Sequence, residues 1–228
     1  TGTDVAGDFH CSGSETVDGV KISCWKTDGS HGSQSLRKAL ENSCNPALIQ
    51  LGSRIGTATL YKYYKSFGLF DKTGIDLPGE ANSIFKEEST VIPVERATYS
   101  FGQRFSITPL QMITAVSAIA NDGIYIEPTF YSKVEDSNGK VVLEPKQKTE
   151  KVCSAETAYI IKSLMQSVVN GADGYAGTAK YCAINGIDVA AKTGTTNSSK
   201  DRWLCGFTNY YACAAWYGFD DPERISFP

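Results

Sequence analysis

The 228-residue chain contains no Cys-x-x-Cys pair among its seven cysteines, which removes the strongest zinc-ribbon and thioredoxin-like signals. No apolar run approaches the roughly 18 residues that a membrane-spanning helix needs, and no secretory leader pattern opens the chain. An excess of basic charge is missing too. The formal net charge is −3, which leaves no electrostatic footprint for nucleic acid. Internal repeats and low-complexity tracts are absent. The ends, "TGTDVAGDFHC" and "DDPERISFP", do not read as natural termini, so a piece of a longer protein is expected. The odd cysteine count leaves at least one thiol unpaired in any disulfide scheme.

What is present describes an ordinary globular protein, with 41% hydrophobic residues, 21% charged residues and 21 glycines. That length suffices for one large domain or two small ones. "SETVDGVKI" predicts a hairpin turning at Asp18-Gly19, with Val17 facing Val20 and Cys24 opposite Gly13. That register brings Cys11 diagonally near Cys24. Helical stretches follow at "QSLRKALENS", "PALIQLGSRIG" and "TATLYKYYKSFGLF", Pro46 suiting a helix start. Residues 71–104 read as a loop-rich middle. In "SITPLQMITAVSAIANDG", Thr108 predicts an N-cap, Pro109 the first turn and Gly123 the stop. "YSKVEDSNGKVVLEP" reads as a hairpin about Asn138-Gly139, and "SAETAYIIKSLMQSVVNG" as an amphipathic helix closed by Gly171. The last third shifts to strand period in "GIDVAAKTG", "RWLCGF" and "YYACAAWYGF", the last two joined near Thr208 to Tyr210. The plan is α+β: helices first, then an antiparallel sheet.

Two short patterns carry chemistry. In "AAKTGTTNSSKDRW", Lys192 brings positive charge to a strand edge, Gly194 leaves room for a substrate lying along it, and Thr193 and Thr195 offer hydroxyls to a carboxylate. The Thr195 N–H can help stabilise an oxyanion, an interaction worth about 3 kcal/mol in comparable sites. The tripeptide alone is weak evidence, since "DKTGID" repeats it at Lys72 to Gly74, a copy read as coincidence. In "LENSCNPAL", Ser43 and Asn45 stand two apart between helices. There a serine can shuttle a proton and an amide can grip a carbonyl, although Ser, Asn and Pro also make ordinary capping turns.

Together the two patterns resemble the second and third motifs of penicillin-binding proteins, a family marked by S-x-x-K, S-D-N and K-T-G elements. The likeness extends over nearly the whole chain. It includes "HGSQSLRKALENSCNPALIQLGSRIG", "TGIDLPGE", "SFGQRFSITPLQMITAVSAIANDG" and "VAAKTGTTNSSKDRWLCGF". Arg104 departs from the commonest pattern, standing where glycine often follows "FGQ". "FHC…ISCW…HG…NSCNP" is most similar to class B enzymes of Gram-positive bacteria, including those of sporulation.

The resemblance implies a penicillin-binding protein/serine β-lactamase-like transpeptidase fold, incomplete at both ends: one partial domain over residues 1–228, helical over about 30–180 and with strands over about 187–220. It further implies D,D-transpeptidation. A serine attacks a D-Ala-D-Ala stem peptide, D-alanine leaves, and an amine takes the acyl group, with β-lactams acylating the same serine. Ser43 and Asn45 would relay the proton and hold substrate, Lys192 would supply charge, and Thr193, Gly194 and Thr195 would seat the carboxylate. No cofactor is required for that chemistry. The parent protein would sit on the extracytoplasmic face of the membrane, held by an N-terminal segment. Its partners would be stem peptides, β-lactams and either a glycosyltransferase or division or sporulation proteins, with no nucleic acid.

The first motif has no good candidate. Ser35-x-x-Lys38 lies only eight residues before Ser43, and Ser137-x-x-Lys140 occupies a turn; both are read as decoys. The nucleophile is therefore expected upstream of Thr1. An inactive penicillin-binding or scaffold module, and a β-lactamase-like hydrolase or antibiotic sensor, are the competing functions.

Cys11, Cys24, His31 and Cys44 follow one another at spacings of 13, 7 and 13 residues. Three thiolates and an imidazole make a structural zinc set; a Cys24–Cys44 disulfide and buried free thiols are the alternatives. Cys205 and Cys213 read as core residues or a cross-strand pair, and Cys153 and Cys182 take no assignment. Trp203, Tyr210, Tyr211 and Trp216 read as packing residues in preference to a carbohydrate platform.

Overall fold

The computed structural model describes residues 7–172, 177–196 and 199–226. The "NS" of the third-motif segment and the first six residues lie outside them. Strand β1 (Phe9–Cys11) pairs antiparallel with β4 (Gly32–Gln34), enclosing the hairpin of β2 (Ser14–Val17) and β3 (Val20–Ser23). Val17 faces Val20, and the Cys24 N–H donates to the Gly13 carbonyl at 2.8 Å, as the Asp18-Gly19 turn requires. The β1–β4 pairing is an addition to the hairpin-and-loop expectation.

Helix α1 (Leu36–Glu41) starts at Ser35, whose Oγ accepts from the Lys38 N–H. Helix α2 (Asn45–Ser66) runs through both stretches expected as separate helices and kinks at Gly56 (φ 77°, ψ 167°). Glycine adopts that conformation at no steric cost, so the expected break survives as a bend. Residues 71–104 are not all loop. Helix α3 (Pro93–Tyr99) forms there, with Pro93 in its first turn and Glu95 Oε2 accepting from the Ile92 N–H at 3.2 Å. Around it Tyr61, Tyr64, Phe70, Phe85, Tyr99 and Phe105 pack ring to ring, with Phe85 and Phe105 stacked at 4.7 Å. Such pairs stabilise by about 0.5–1.5 kcal/mol each beyond their buried area.

Helix α4 (Pro109–Ala120) carries its N-cap at Thr108, whose Oγ1 accepts from the Gln111 N–H. Strand β5 (Ile124–Ile126) leaves it and later pairs with β8 (Thr149–Lys151), around the β6 (Val134–Glu135) and β7 (Val141–Leu143) hairpin. Helix α5 (Ala155–Asn170) is capped by Ser154 and ends at Gly171. The sheet closes the chain in the order β11–β10–β9, all antiparallel, with β9 (Ala190–Thr195), β10 (Asp201–Phe207) and β11 (Ala212–Gly218). Ala190 and Phe207 pack against Val116 of α4 and Met165 of α5. Ala191 packs with Val168, Val169, Ala179 and Val189. The sheet is thereby fixed to the helical layer, and the fold is the α+β arrangement the periodicities predict.

Candidate active site and cysteine cluster

The chain reverses between α1 and α2 through Ser43, which holds a left-handed conformation (φ 49°) uncommon for a residue other than glycine. The turn is pinned by the Ser43 N–H on the Leu40 carbonyl (3.0 Å) and the Cys44 N–H on the Ala39 carbonyl (2.9 Å). Glu41, 1% exposed, accepts from Lys38 Nζ at 2.9 Å beneath it. Lys192 reaches this turn from the sheet. Its Nζ donates to Ser43 Oγ at 2.8 Å and to the Thr193 carbonyl at 2.7 Å. Burial pulls the pKa of this ammonium down to about 8, against a smaller opposing pull from the Cys205 thiol.

Among the described residues strand β9 pairs with β10 alone, so its other edge can take a substrate as an added strand. Gly194 stands opposite Trp203, and Thr195, at the end of the strand, is exposed. Asn45 opens α2 with its Nδ2 donating to the Ser23 carbonyl at 3.3 Å; its amide is anchored to the β2–β3 hairpin. Ser35 is the α1 cap and Lys38 is paired with Glu41, so both residues of this Ser-x-x-Lys are engaged in holding α1 and its following turn. Ser137 lies in the turn between β6 and β7.

Two contributors escaped the sequence reading. Gln103 Nε2 donates to the Thr195 carbonyl at 3.2 Å, tying the middle segment to the end of β9. Trp25 Nε1 donates to the Asn42 carbonyl at 2.8 Å, next to Ser43, and its ring lies 5.6 Å from that of His31. The quoted "FGQRFSITPL" and "ISCW" signatures contain them without assigning either a contact. Arg104 has φ 69°, which gives a physical reason for glycine to be common at that place.

Cys11, Cys24, His31 and Cys44 converge, their ligand atoms all within 4.8 Å of one another. Cys24 Sγ lies 3.5 Å from His31 Nδ1. The cause is topological: Cys11 pairs with Gly32 across β1–β4, which brings His31 alongside, while Cys44 arrives as the residue before α2. Burial pushes the Cys44 thiol up to about 12. Burial also opposes ionisation of Cys11, but the backbone N–H groups of His31 and Gly13 and the thiols of Cys44 and Cys24 outweigh it and hold its pKa below the usual value.

All seven cysteines are free thiols. Cys205 faces Ala214 while Cys213 faces Gly206. They are one residue out of register on opposite faces, so the expected cross-strand pair does not form. Cys205 packs in the core and Cys213 is exposed. Trp203 and Trp216 are direct cross-strand neighbours; Trp203 is half-buried, and Trp216 is exposed with its Nε1 donating to Asp201 Oδ1 at 3.0 Å. Tyr210 and Tyr211 are 83% and 81% exposed, so the turn that joins β10 and β11 turns them out of the core.

Comparison with known proteins agrees with this geometry. The chain is 36% identical over 219 residues to Stage V sporulation protein D of Bacillus subtilis, covering 95% of this chain and 33% of that protein. It therefore spans about a third of that relative's length. The D,D-transpeptidase domain of a peptidoglycan glycosyltransferase from Eggerthella lenta superposes with a TM-score of 0.77 at 28% identity, over 90% of this chain and 53% of that one. Penicillin binding protein 3 from Mycobacterium tuberculosis, complexed with aztreonam, superposes with a TM-score of 0.79 at 26% identity, over 92% and 50%. Residues 6–220 match the penicillin binding protein transpeptidase domain, and the chain belongs to that family.

Proposed function

We propose that this domain forms the body of a peptidoglycan D,D-transpeptidase, working through a serine acyl-enzyme whose nucleophile lies outside these 228 residues. One observation carries the reading: Lys192 Nζ meets Ser43 Oγ at 2.8 Å across 149 residues of sequence. A donor–acceptor pair of this kind passes a proton to or from a reacting group. A stem peptide ending in D-Ala-D-Ala lies along the free edge of β9, its carboxylate at Thr193, Thr195 and the Lys192 ammonium. The serine oxygen attacks the penultimate carbonyl, the C–N bond breaks, and D-alanine leaves with the proton relayed through Ser43. An amine then takes the acyl group and restores the serine. The Thr195 N–H stabilises the oxyanion in both steps.

β-Lactams enter the same cleft, as the aztreonam complex of the mycobacterial relative suggests. The domain works on the extracytoplasmic face of the membrane, anchored by polypeptide outside the described residues, among which no helix is long and apolar enough to cross a bilayer. Likeness to a sporulation protein favours a sporulation role, with glycosyltransferase or division proteins as partners.

The cysteine cluster is read as a structural zinc site. Four donors fit a Cys3His set, which needs S···S edges of about 3.8 Å around one ion, a small contraction from the separations present. Cys11, Cys24 and Cys44 would ligate as thiolates and His31 through Nδ1. Zinc would supply no chemistry to acyl transfer. It would lock the β1–β4 pair to the Ser43 turn, since Cys44 is the next residue. A Cys24–Cys44 disulfide would leave the other two donors unexplained.

Labelling with a fluorescent penicillin tests the function. The full-length protein acquires a covalent adduct that it releases slowly, and the 228-residue chain alone acquires none. Rapid release would mean a hydrolase, no labelling of the full-length protein would sink the reading, and labelling of the short chain would return Ser35 to consideration. Native mass spectrometry of the short chain shows one zinc per molecule, lost in a Cys11→Ser, Cys24→Ser double variant. Retention of zinc by that variant would sink the assignment of the site.

A further inference from the structure

The turn between β10 and β11 borders an open cleft of about 320 Å³ that the catalytic reading does not use. Its walls are Ser117 and Asn121 at the end of α4, Lys162 on α5, and Asn209, Tyr210 and Tyr211 of the turn. The volume is at the small end of the usual range for ligand sites.

The turn is built rather than loose. The Thr208 N–H donates to the Tyr211 carbonyl at 2.8 Å, and Thr208 Oγ1 accepts from the N–H groups of both Tyr210 and Tyr211 at 3.2 and 3.1 Å. Lys162 Nζ donates to Asn209 Oδ1 at 3.3 Å, fixing the amide. Two consecutive tyrosines are thereby held on a rigid hairpin, more than four-fifths exposed. Core packing does not account for them.

From this arrangement we infer a saccharide subsite, which takes the glycan strand of the peptidoglycan that bears the stem peptide. The inference rests on the transpeptidase reading for the identity of the polymer. Sugar rings present a flat C–H face, which aromatic rings cover, and a rim of hydroxyls, which amides and hydroxyls bind. The cleft offers both. Tyr210 and Tyr211 line it together with Asn209, Asn121 and Ser117, which bring amides and a hydroxyl. A protein partner fits less well, because the walls contain no aliphatic side chain larger than alanine to act as an anchor. Lys162 uses one of its three donors on Asn209 and keeps the others for hydroxyl oxygens of a sugar.

Position supports the same conclusion. Thr208 is three residues past Cys205, the cross-strand partner of Lys192, so the cleft begins about 10 Å along the sheet from the catalytic lysine. It lies toward the end of β9 opposite Thr195. A polymer held there leaves the substrate edge of β9 open for its peptide.

The test uses the 228-residue chain with ring-labelled tyrosine and N-acetylglucosamine tetramer as probe, followed by NMR. The Tyr210 and Tyr211 ring signals shift and saturate at millimolar saccharide, and a Tyr210→Ala, Tyr211→Ala variant weakens binding at least tenfold as measured by calorimetry. Both side chains are exposed, so an unchanged melting temperature confirms that the variant is folded. Unshifted rings, unchanged affinity in the variant, or shifts produced by a stem peptide without sugar would each overturn the subsite. Penicillin labelling of the full-length variant separates the two proposals. Labelling at the wild-type rate shows that the transpeptidase reading stands whatever the saccharide result, whereas failure of the wild-type protein to label removes the polymer's identity but not a measured saccharide affinity.

Discussion

The chain contains Lys-Thr-Gly twice, and the two copies fold into unlike surroundings. At Lys192 the tripeptide is an edge strand: the lysine reaches Ser43, burial lowers its pKa to about 8, and the glycine stands across from Trp203. At Lys72 the same letters form a surface loop. Lys72 is exposed, Thr73 is buried with its N–H on Glu80 Oε1 at 2.8 Å, and Gly74 takes φ 81°. The first copy turns its lysine to Ser43 along a strand edge, while the second folds its threonine inward to shape a turn. Chemistry therefore lies in what faces the tripeptide, and Ser43 faces only one of them.

Truncating each lysine should separate the copies most sharply. In the full-length protein, Lys192→Ala removes the charge and the Ser43 contact together, and the rate of penicillin acylation should fall by about 10²–10³, the size seen when a preorganised stabilising group is lost. Lys72→Ala should leave the rate within twofold, since exposed substitutions rarely move stability by more than about 0.5 kcal/mol. Stopped-flow acylation kinetics measure both. Comparable losses from the two would mean that the second copy is no decoy.

The charge states should diverge as well. With a pKa of about 8, Lys192 is mostly an ammonium at neutral pH and mostly neutral above pH 9. If the ammonium holds the substrate carboxylate, kcat/KM should decline above about pH 8, tending to tenfold per pH unit, because that parameter reports the free enzyme. For stability the sign is opposite. The unfolded chain keeps this proton up to its ordinary value near 10.5, so between about pH 8 and 10.5 the Lys192 contribution makes folding more favourable as pH rises. A pH series of kcat/KM, and of unfolding free energy relative to Lys192→Met, checks both signs. A flat kcat/KM up to pH 10 would remove the carboxylate role.

How much of this could be read beforehand depends on the range of the signal. Helix α4 was legible because Thr108, Pro109 and Gly123 mark its ends within one segment. Helix α3 was not, because seven residues span too few turns to show a period. The β1–β4 and β5–β8 pairs were invisible for a related reason: three-residue strands carry almost no alternation, and their partners are remote. The same holds in the site. Ser43 and Lys192 carry motif signals, and the Asp18-Gly19 turn brought Cys11 toward Cys24. Placing His31 needed the β1–β4 register, and Gln103 and Trp25 act by donating to remote backbone carbonyls, which no side-chain pattern announces. Tyr210 and Tyr211 misled because aromatic residues on strands usually pack, whereas these two occupy the turn.

The glycines give the smallest contrast and the cleanest one, because alanine adds the same methyl to each. At Gly74 the backbone itself objects: φ 81° costs an L-residue about 1–2 kcal/mol, and the new Cβ also presses on the Glu127 carboxylate, a flexible end that can move. Gly74→Ala should therefore lower the melting temperature by roughly 2–8 °C, at about 2–4 °C per kcal/mol for a chain of this size, and leave penicillin acylation of the folded protein unchanged. At Gly194 the added Cβ would lie 3.2 Å from Trp203 Cβ, a tight contact that a small strand shift relieves. Gly194→Ala should move the melting temperature by less than about 2 °C. Its methyl narrows the edge along which substrate lies, so acylation should slow by about tenfold. Calorimetry and penicillin labelling of the two variants in the full-length protein decide the matter: a Gly194 variant that loses stability but not rate would show that this glycine, like its twin, serves only the fold.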